Sequence, residues 1–126
     1  MPRTRRIGGA LVRGQGDDGG PGTPGPHLGA ADLGAELGSR ATLVQFSSAF
    51  CAPCRATRRV LGEVARMVPG VAHVEIDAEA RLELVRALGV QKTPTVLVLD
   101  GDGRVVRRAV GQPRKADVIA ALGEAV

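Results

Sequence analysis

The sequence predicts an α/β fold, a three-layer sandwich whose mixed central sheet is flanked by helices. Three observations carry this. From residue 42 onward, short strand-type apolar runs alternate with helical apolar stripes. The first two strand runs are separated by a helix, so a right-handed crossover makes them parallel. The last two are joined by Asp100-Gly101-Asp102-Gly103, a strong hairpin turn that makes them antiparallel.

Each element has a local reason. Ala10 to Arg13 is a candidate short edge strand. Leu33 and Leu37, four apart, indicate a short helix over Ala30 to Leu37. Thr42 to Phe46 reads as a strand leading through Ser47-Ser48-Ala49-Phe50 into Cys51. Pro53 suits the first turn of a helix, where its missing N–H is no loss. Val60, Leu61, Val64, Met67 and Val68 continue that helix, and Pro69-Gly70 stops it. Val71 to Ile76 is a strand with Val74 and Ile76 on one face and His73 and Glu75 on the other. Asp77 is the expected cap of a helix bearing Leu84, Val85 and Leu88 and closed by Gly89. Thr95 to Leu99 and Arg104 to Val110 form the hairpin. After Gly111-Gln112-Pro113, the residues Val118, Ile119 and Leu122 mark the last helix.

Composition bounds the function classes. The chain has 126 residues, 44% of them hydrophobic, which is enough for one domain with a core. Phe46 and Phe50 are its only aromatic residues, so recognition by stacking bases or sugars is disfavoured. The net charge is +4. Basic and acidic residues alternate through the C-terminal two-thirds instead of forming one basic face, so no nucleic-acid partner is expected. There is no run of about 18 apolar residues, and so no helix that spans a membrane. The two cysteines, Cys51 and Cys54, exclude a four-thiolate zinc site within one chain. No metal and no bound cofactor are expected.

Residues 1–40 hold 11 of the 18 glycines and 4 of the 8 prolines. A segment of this kind cannot bury enough apolar area to offset its ordering entropy. Residues 1–26 are therefore expected to be a flexible Gly-Pro-rich tail, and residues 27–126 the folded domain. Arg5-Arg6 faintly resembles a twin-arginine export signal. However, the apolar stretch from Ile7 to Val12 contains two glycines and is stopped by Arg13, shorter than a signal peptide requires. A cytoplasmic setting is expected. The alternative is extracytoplasmic, with an upstream anchor or signal missing from this chain.

The chemistry lies in Cys51-Ala52-Pro53-Cys54, placed between a strand and a helix. At a helix N-terminus, unpaired N–H groups and the macrodipole favour an anion. The Cys51 thiolate is stabilised there, and its pKa should fall below the free value of about 8.5. Cys51 attacks a substrate disulfide, and Cys54, one turn further in, attacks the mixed disulfide and releases the reduced substrate. A purely structural bridge over so short a loop would stabilise weakly, and half of an intermolecular zinc site would need a symmetric dimer. The strand–CxxC–helix context favours redox chemistry over both. Arg55 is near enough to add positive potential, Arg59 and Glu63 form an i,i+4 pair, and His27 has no evident role.

Residues 42–122 resemble the thioredoxin family. The resemblance is carried by Leu43-Val44-Gln45-Phe46, Phe50-Cys51-Ala52-Pro53-Cys54-Arg55, Val74-Glu75-Ile76-Asp77, the stretch from Gly89 to Thr95, and Gly111. It implies a thioredoxin-like thiol–disulfide oxidoreductase with Cys51 as nucleophile and Cys54 as resolving thiol. It also implies a cis-proline at Pro94 and substrate pairing with the backbone of Thr93. The implied substrate patch is Phe50, Ala52, Pro53, Thr93, Pro94 and Gly111. The implied partners are protein disulfides and a thioredoxin reductase or membrane thiol donor, and the chain is expected to be a monomer acting as a reductant.

Five departures from the family pattern stand out. The usual CGPC is CAPC, and the aromatic before it is Phe50 instead of Trp. The buried acid that serves the resolving cysteine is Gln45, and the lysine near that acid is His73. The kinking proline of the long helix is Arg59. His73 is a candidate base partly replacing the acid, since histidine titrates near neutral pH. The competing reading is a thioredoxin-fold binding module with weak or no turnover, which Gln45 supports.

Overall fold

The computed structural model describes residues 11–13 and 26–126. The rest of the expected tail, including Arg5-Arg6, lies outside the described residues. The elements run β1 (Leu11–Arg13), α1 (Ala30–Leu33), β2 (Ala41–Ser47), α2 (Ala52–Met67), β3 (Val71–Asp77), α3 (Leu82–Leu88), β4 (Thr95–Asp100), β5 (Val105–Val110) and α4 (Lys115–Ala125). The strands form one mixed sheet in the order β1-β5-β4-β2-β3. β2 and β3 are parallel. β2 with β4, β4 with β5, and β1 with β5 are antiparallel. The edge strand expected near Ala10 is thus present as β1.

Strand periodicity divides the core into two layers. On one face, Val44 and Phe46 of β2 and Val74 and Ile76 of β3 pack with Leu33 of α1 and Leu88 of α3. On the other, Ala41 and Leu43 of β2 pack with Leu61 and Val64 of α2 and with Val118 and Leu122 of α4. Gln45 shares the parity of Ala41 and Leu43, so its amide points into the α2 side of the sheet. α2 buries Cys54, Thr57, Leu61 and Val64, spaced three and four apart, as a helix laid along a sheet requires.

Three local expectations are corrected. The first helix ends at Leu33 because Gly34, at φ 72°, forms a left-handed cap; Leu37 still packs on the core from the loop. Asp77 does not cap α3, which starts at Leu82. Asp77 closes β3, and its Oδ1 accepts a 2.9 Å bond from Glu79 N–H, a local turn that competes with capping. Glu63 pairs with Lys115 of α4 at 3.4 Å instead of with Arg59.

Glycine is required at Gly103. Its φ is +89°, and a Cβ there would lie 2.2 Å from the carbonyl oxygen of Leu28. That close approach lets Leu28 N–H donate to Gly103 O at 2.9 Å, while Val105 N–H donates to Pro26 O at 2.9 Å.

Candidate active site

β2 delivers the chain to the end of the sheet at Ser47, and after four intervening residues α2 begins at Ala52. Cys51 is the N-cap of this 16-residue helix. Its Sγ accepts a 3.2 Å hydrogen bond from Cys54 N–H, which also donates to Cys51 O at 3.1 Å, as the first amides of a helix turn to a cap. Pro53 occupies the first turn, and there is no acidic residue in that turn to oppose a thiolate. Thr57 Oγ1 donates to Pro53 O at 2.8 Å and fastens the turn from within.

Cys51 and Cys54 are joined as a disulfide, with sulfurs 2.28 Å and Cα atoms 5.2 Å apart. The two sulfurs differ in access. Cys51 is half-buried, whereas Cys54 is 1% exposed. Phe50, just before them, has φ 55° and is fully exposed. A left-handed bulky residue is uncommon and costs on the order of 1 kcal/mol or more, and here it carries an aromatic ring out into solvent beside the disulfide. Ala52 and Pro53 are also exposed.

The second wall of the site is the loop before β4. The Thr93–Pro94 peptide bond is cis. Pro94 O accepts from Gly111 N–H at 2.9 Å, which ties the loop to the end of β5; Gly111 has φ 94°, a conformation suited to glycine. Ser48 Oγ and Thr93 Oγ1 are 2.7 Å apart. This arrangement brings Cys51, Cys54, Ser48, Thr93, Pro94 and Gly111 to one end of the sheet.

Beneath the helix start lies Gln45, fully buried. Its Nε2 donates to Cys54 O at 2.8 Å and to Ser47 Oγ at 2.9 Å. Its Oε1 is 3.1 Å from His73 Nε2. A carbonyl can only accept, so Cys54 O fixes which end of the amide faces it. The Gln45 oxygen then faces His73, and His73 Nε2 must carry a hydrogen. The basic atom of the neutral ring is therefore Nδ1. Burial pushes the His73 imidazole below its ordinary 6.5; the Glu75 carboxylate opposes the shift and Arg58 adds to it. Arg58 of α2 makes a two-bond contact with Glu75 at 2.7 and 2.8 Å. That contact holds the Glu75 carboxyl below its ordinary 4.5 against the opposing effect of burial.

Comparison with known proteins agrees with this geometry. The family model for thioredoxin matches residues 31–124. The chain belongs to the thioredoxin family. A thioredoxin from Mycolicibacterium smegmatis is 33% identical over 91 residues, covering 70% of this chain and 80% of that protein. One from Chlamydia muridarum is 32% identical over 83 residues, covering 66% and 80%. Among solved structures, a thioredoxin from Nicotiana alata superposes with a TM-score of 0.61 at 26% identity, covering 69% of this chain and 74% of that one. Like its thioredoxin relatives, the protein is a thiol–disulfide oxidoreductase, and Cys51–Cys54 is a redox-type cysteine pair.

Gln45, where the thioredoxin pattern has an acid, is fully buried and is held by three hydrogen bonds. His73 reaches it, as the resemblance implied, because residues 43 and 73 are register partners in β2 and β3. Sequence reading missed Ser47, Ser48 and the Arg58–Glu75 pair. The strand register contained the signal for Ser48, which lies two residues beyond the last β2–β4 pair, Phe46 with Thr95. Continuing that ladder puts Ser48 opposite Thr93. Among the described residues, no group of three or more His, Cys, Asp or Glu side chains is arranged to hold a metal ion, and no helix is long and apolar enough to cross a membrane.

Proposed function

We propose that this thioredoxin-family protein acts as a reductant of protein disulfides, with Cys51 as the attacking thiolate and Cys54 as the resolving thiol. The observation that carries the reading is the unequal placement of the two sulfurs. Cys51 caps α2, receives the Cys54 N–H and is reachable, while Cys54 is closed in beneath it. In the reduced protein, the Cys51 thiolate attacks one sulfur of the substrate disulfide, forming a mixed disulfide and expelling the other sulfur as a thiolate. Cys54 then loses its proton and attacks the Cys51 sulfur. The second substrate sulfur leaves as a thiolate, and Cys51–Cys54 is oxidised by two electrons. Phe50, Ala52, Pro53, Thr93, Pro94 and Gly111 form the proposed substrate surface.

The reducing direction is supported by the sparse set of partners around the Cys51 sulfur. Its sulfur accepts one hydrogen bond, and no cationic side chain among the described residues bonds to it. A strong oxidant needs a strongly stabilised thiolate. We assign His73 Nδ1 as the base that takes the Cys54 proton, relayed by solvent because Nε2, the nitrogen facing Gln45, already carries a hydrogen, with Gln45 as the amide that fixes the ring. A cytoplasmic setting with a thioredoxin reductase as electron donor completes the proposal.

Insulin reduction with dithiothreitol as electron source tests it, with Cys51→Ser as control. Turnover well above the control is expected. No turnover above the control favours a binding module that keeps the fold. Equilibration with glutathione buffers reads the direction, and a potential near that of the strong oxidants, about −120 mV, overturns the reductant assignment. If resolution kinetics of His73→Ala match wild type across pH, the assignment of His73 as base is wrong.

A further inference from the structure

We propose that Ser48 is a positioning residue for the substrate backbone, acting through its hydroxyl bond to Thr93. The proposal rests on the reading of the protein as a disulfide reductase and specifies how the extended substrate is gripped. The ladder between β2 and β4 ends at Phe46 and Thr95. Ser48 and Thr93 face each other two positions further along the same register, where the strands no longer exchange backbone hydrogen bonds. The 2.7 Å contact between their hydroxyls replaces the missing rung. Cross-strand Ser–Thr pairs of this kind are a known source of sheet stabilisation.

The consequence concerns the peptide groups of Thr93. Its side chain is occupied by Ser48, but neither its N–H nor its C=O takes a hydrogen-bond partner among the described residues. Thr93 is half-buried, so these groups lie at the margin of the site. A free N–H and C=O on an extended segment are the complement of another extended strand. The loop that presents them is held from three sides: Ser48 on Thr93, Thr95 Oγ1 donating to Lys92 O at 2.6 Å, and Gly111 N–H on Pro94 O. Of these restraints, only the Ser48 bond crosses from the loop carrying Cys51 to the loop carrying Thr93. It therefore sets the position of the substrate-binding backbone relative to the attacking sulfur. The ligand it favours is a disulfide in an extended polypeptide, in preference to a small disulfide with no backbone to pair.

The test compares wild type, Ser48→Ala and Ser48→Thr on two substrates, insulin and hydroxyethyl disulfide, with kcat and KM measured separately. Ser48→Ala is expected to lose about fivefold in kcat/KM on insulin, mostly through KM, as about 1 kcal/mol for one hydrogen bond converts. The loss on hydroxyethyl disulfide should be at least about threefold smaller, a difference of about 0.7 kcal/mol. Ser48→Thr should recover most of the insulin activity. Equal losses on both substrates, no loss on insulin, or no rescue by Ser48→Thr overturn the proposal. A wild type active on neither substrate overturns the reductase reading, and this one with it. A wild type active on both with an indifferent Ser48→Ala overturns this one alone.

Discussion

Replacing Gln45 by leucine removes the buried amide that connects the helix start to β3. Three hydrogen bonds are lost, to Cys54 O, Ser47 Oγ and His73 Nε2. At about 1 kcal/mol net for each, this is about 3 kcal/mol. Two of the partners find compensation. Cys54 O sits within α2 and retains the helical amide four residues on, and the Ser47 hydroxyl lies near enough to the Glu75 carboxylate to help lower its pKa and can turn toward it. The His73 Nε2–H has no such second partner among the described residues and stays half-buried, which costs about 1 kcal/mol. The leucine side chain returns about 1–2 kcal/mol through apolar burial. The net expectation is a loss of about 2–3 kcal/mol, or about 10 °C in Tm for a domain of this size. Urea unfolding of the oxidised protein measures the first figure and thermal unfolding the second. Nitrogen chemical shifts of His73 supply an independent reading: wild type should show the tautomer with hydrogen on Nε2, and the leucine variant should lose that preference. A loss below about 0.5 kcal/mol, or a wild-type ring carrying its hydrogen on Nδ1, would refute the reasoning.

Acid should destabilise the fold in two stages. His73 is held below 6.5 in the folded chain, so below pH 6.5 the unfolded chain binds that proton first, and stability falls until the folded pKa is passed. Glu75 is held below 4.5, so its contribution is present above that value and is lost as pH falls through the lower folded pKa. Urea midpoints from pH 8 to about 3 should decline accordingly, and His73→Gln should flatten the part just below 6.5; a rise on acidification contradicts both shifts. Leu43→Ala, at a fully buried position between the sheet and α2, should cost about 3 kcal/mol, and a loss under about 1 kcal/mol would remove it from the core. Gly103→Ala, with its Cβ driven against Leu28 O and its φ at +89°, should cost about 2 kcal/mol or more and raise amide exchange at Leu28 and Val105; unchanged exchange there refutes the close approach.

Much of the fold was legible because period and punctuation agree from Thr42 onward. The run to Phe46, the stripe from Val60 to Val68 and the Asp-Gly turn each specify one local structure, and together they leave few topologies. Helix ends were less legible. Gly34 and the Asp77 turn act through single backbone conformations, and the same residue types permit more than one outcome. Arg59 and Glu63 are correctly spaced to pair, but Lys115 of a distant helix takes Glu63, and spacing within one helix cannot reveal such a competitor.

By itself, the sequence determined the α/β sandwich and the cysteine pair at a helix start; the absence of an acid at Gln45 came from the resemblance to the thioredoxin family. The first two are properties of neighbours along the chain, set by side-chain period and by the unpaired donors of a helix N-terminus. Tertiary structure decided the depth of each sulfur, the direction in which the Gln45 amide faces, the nitrogen of His73 that stays basic, and the pairing of Ser48 with Thr93. Each of these depends on groups from separate strands meeting in one place, where burial leaves a polar atom only the partners that the fold supplies.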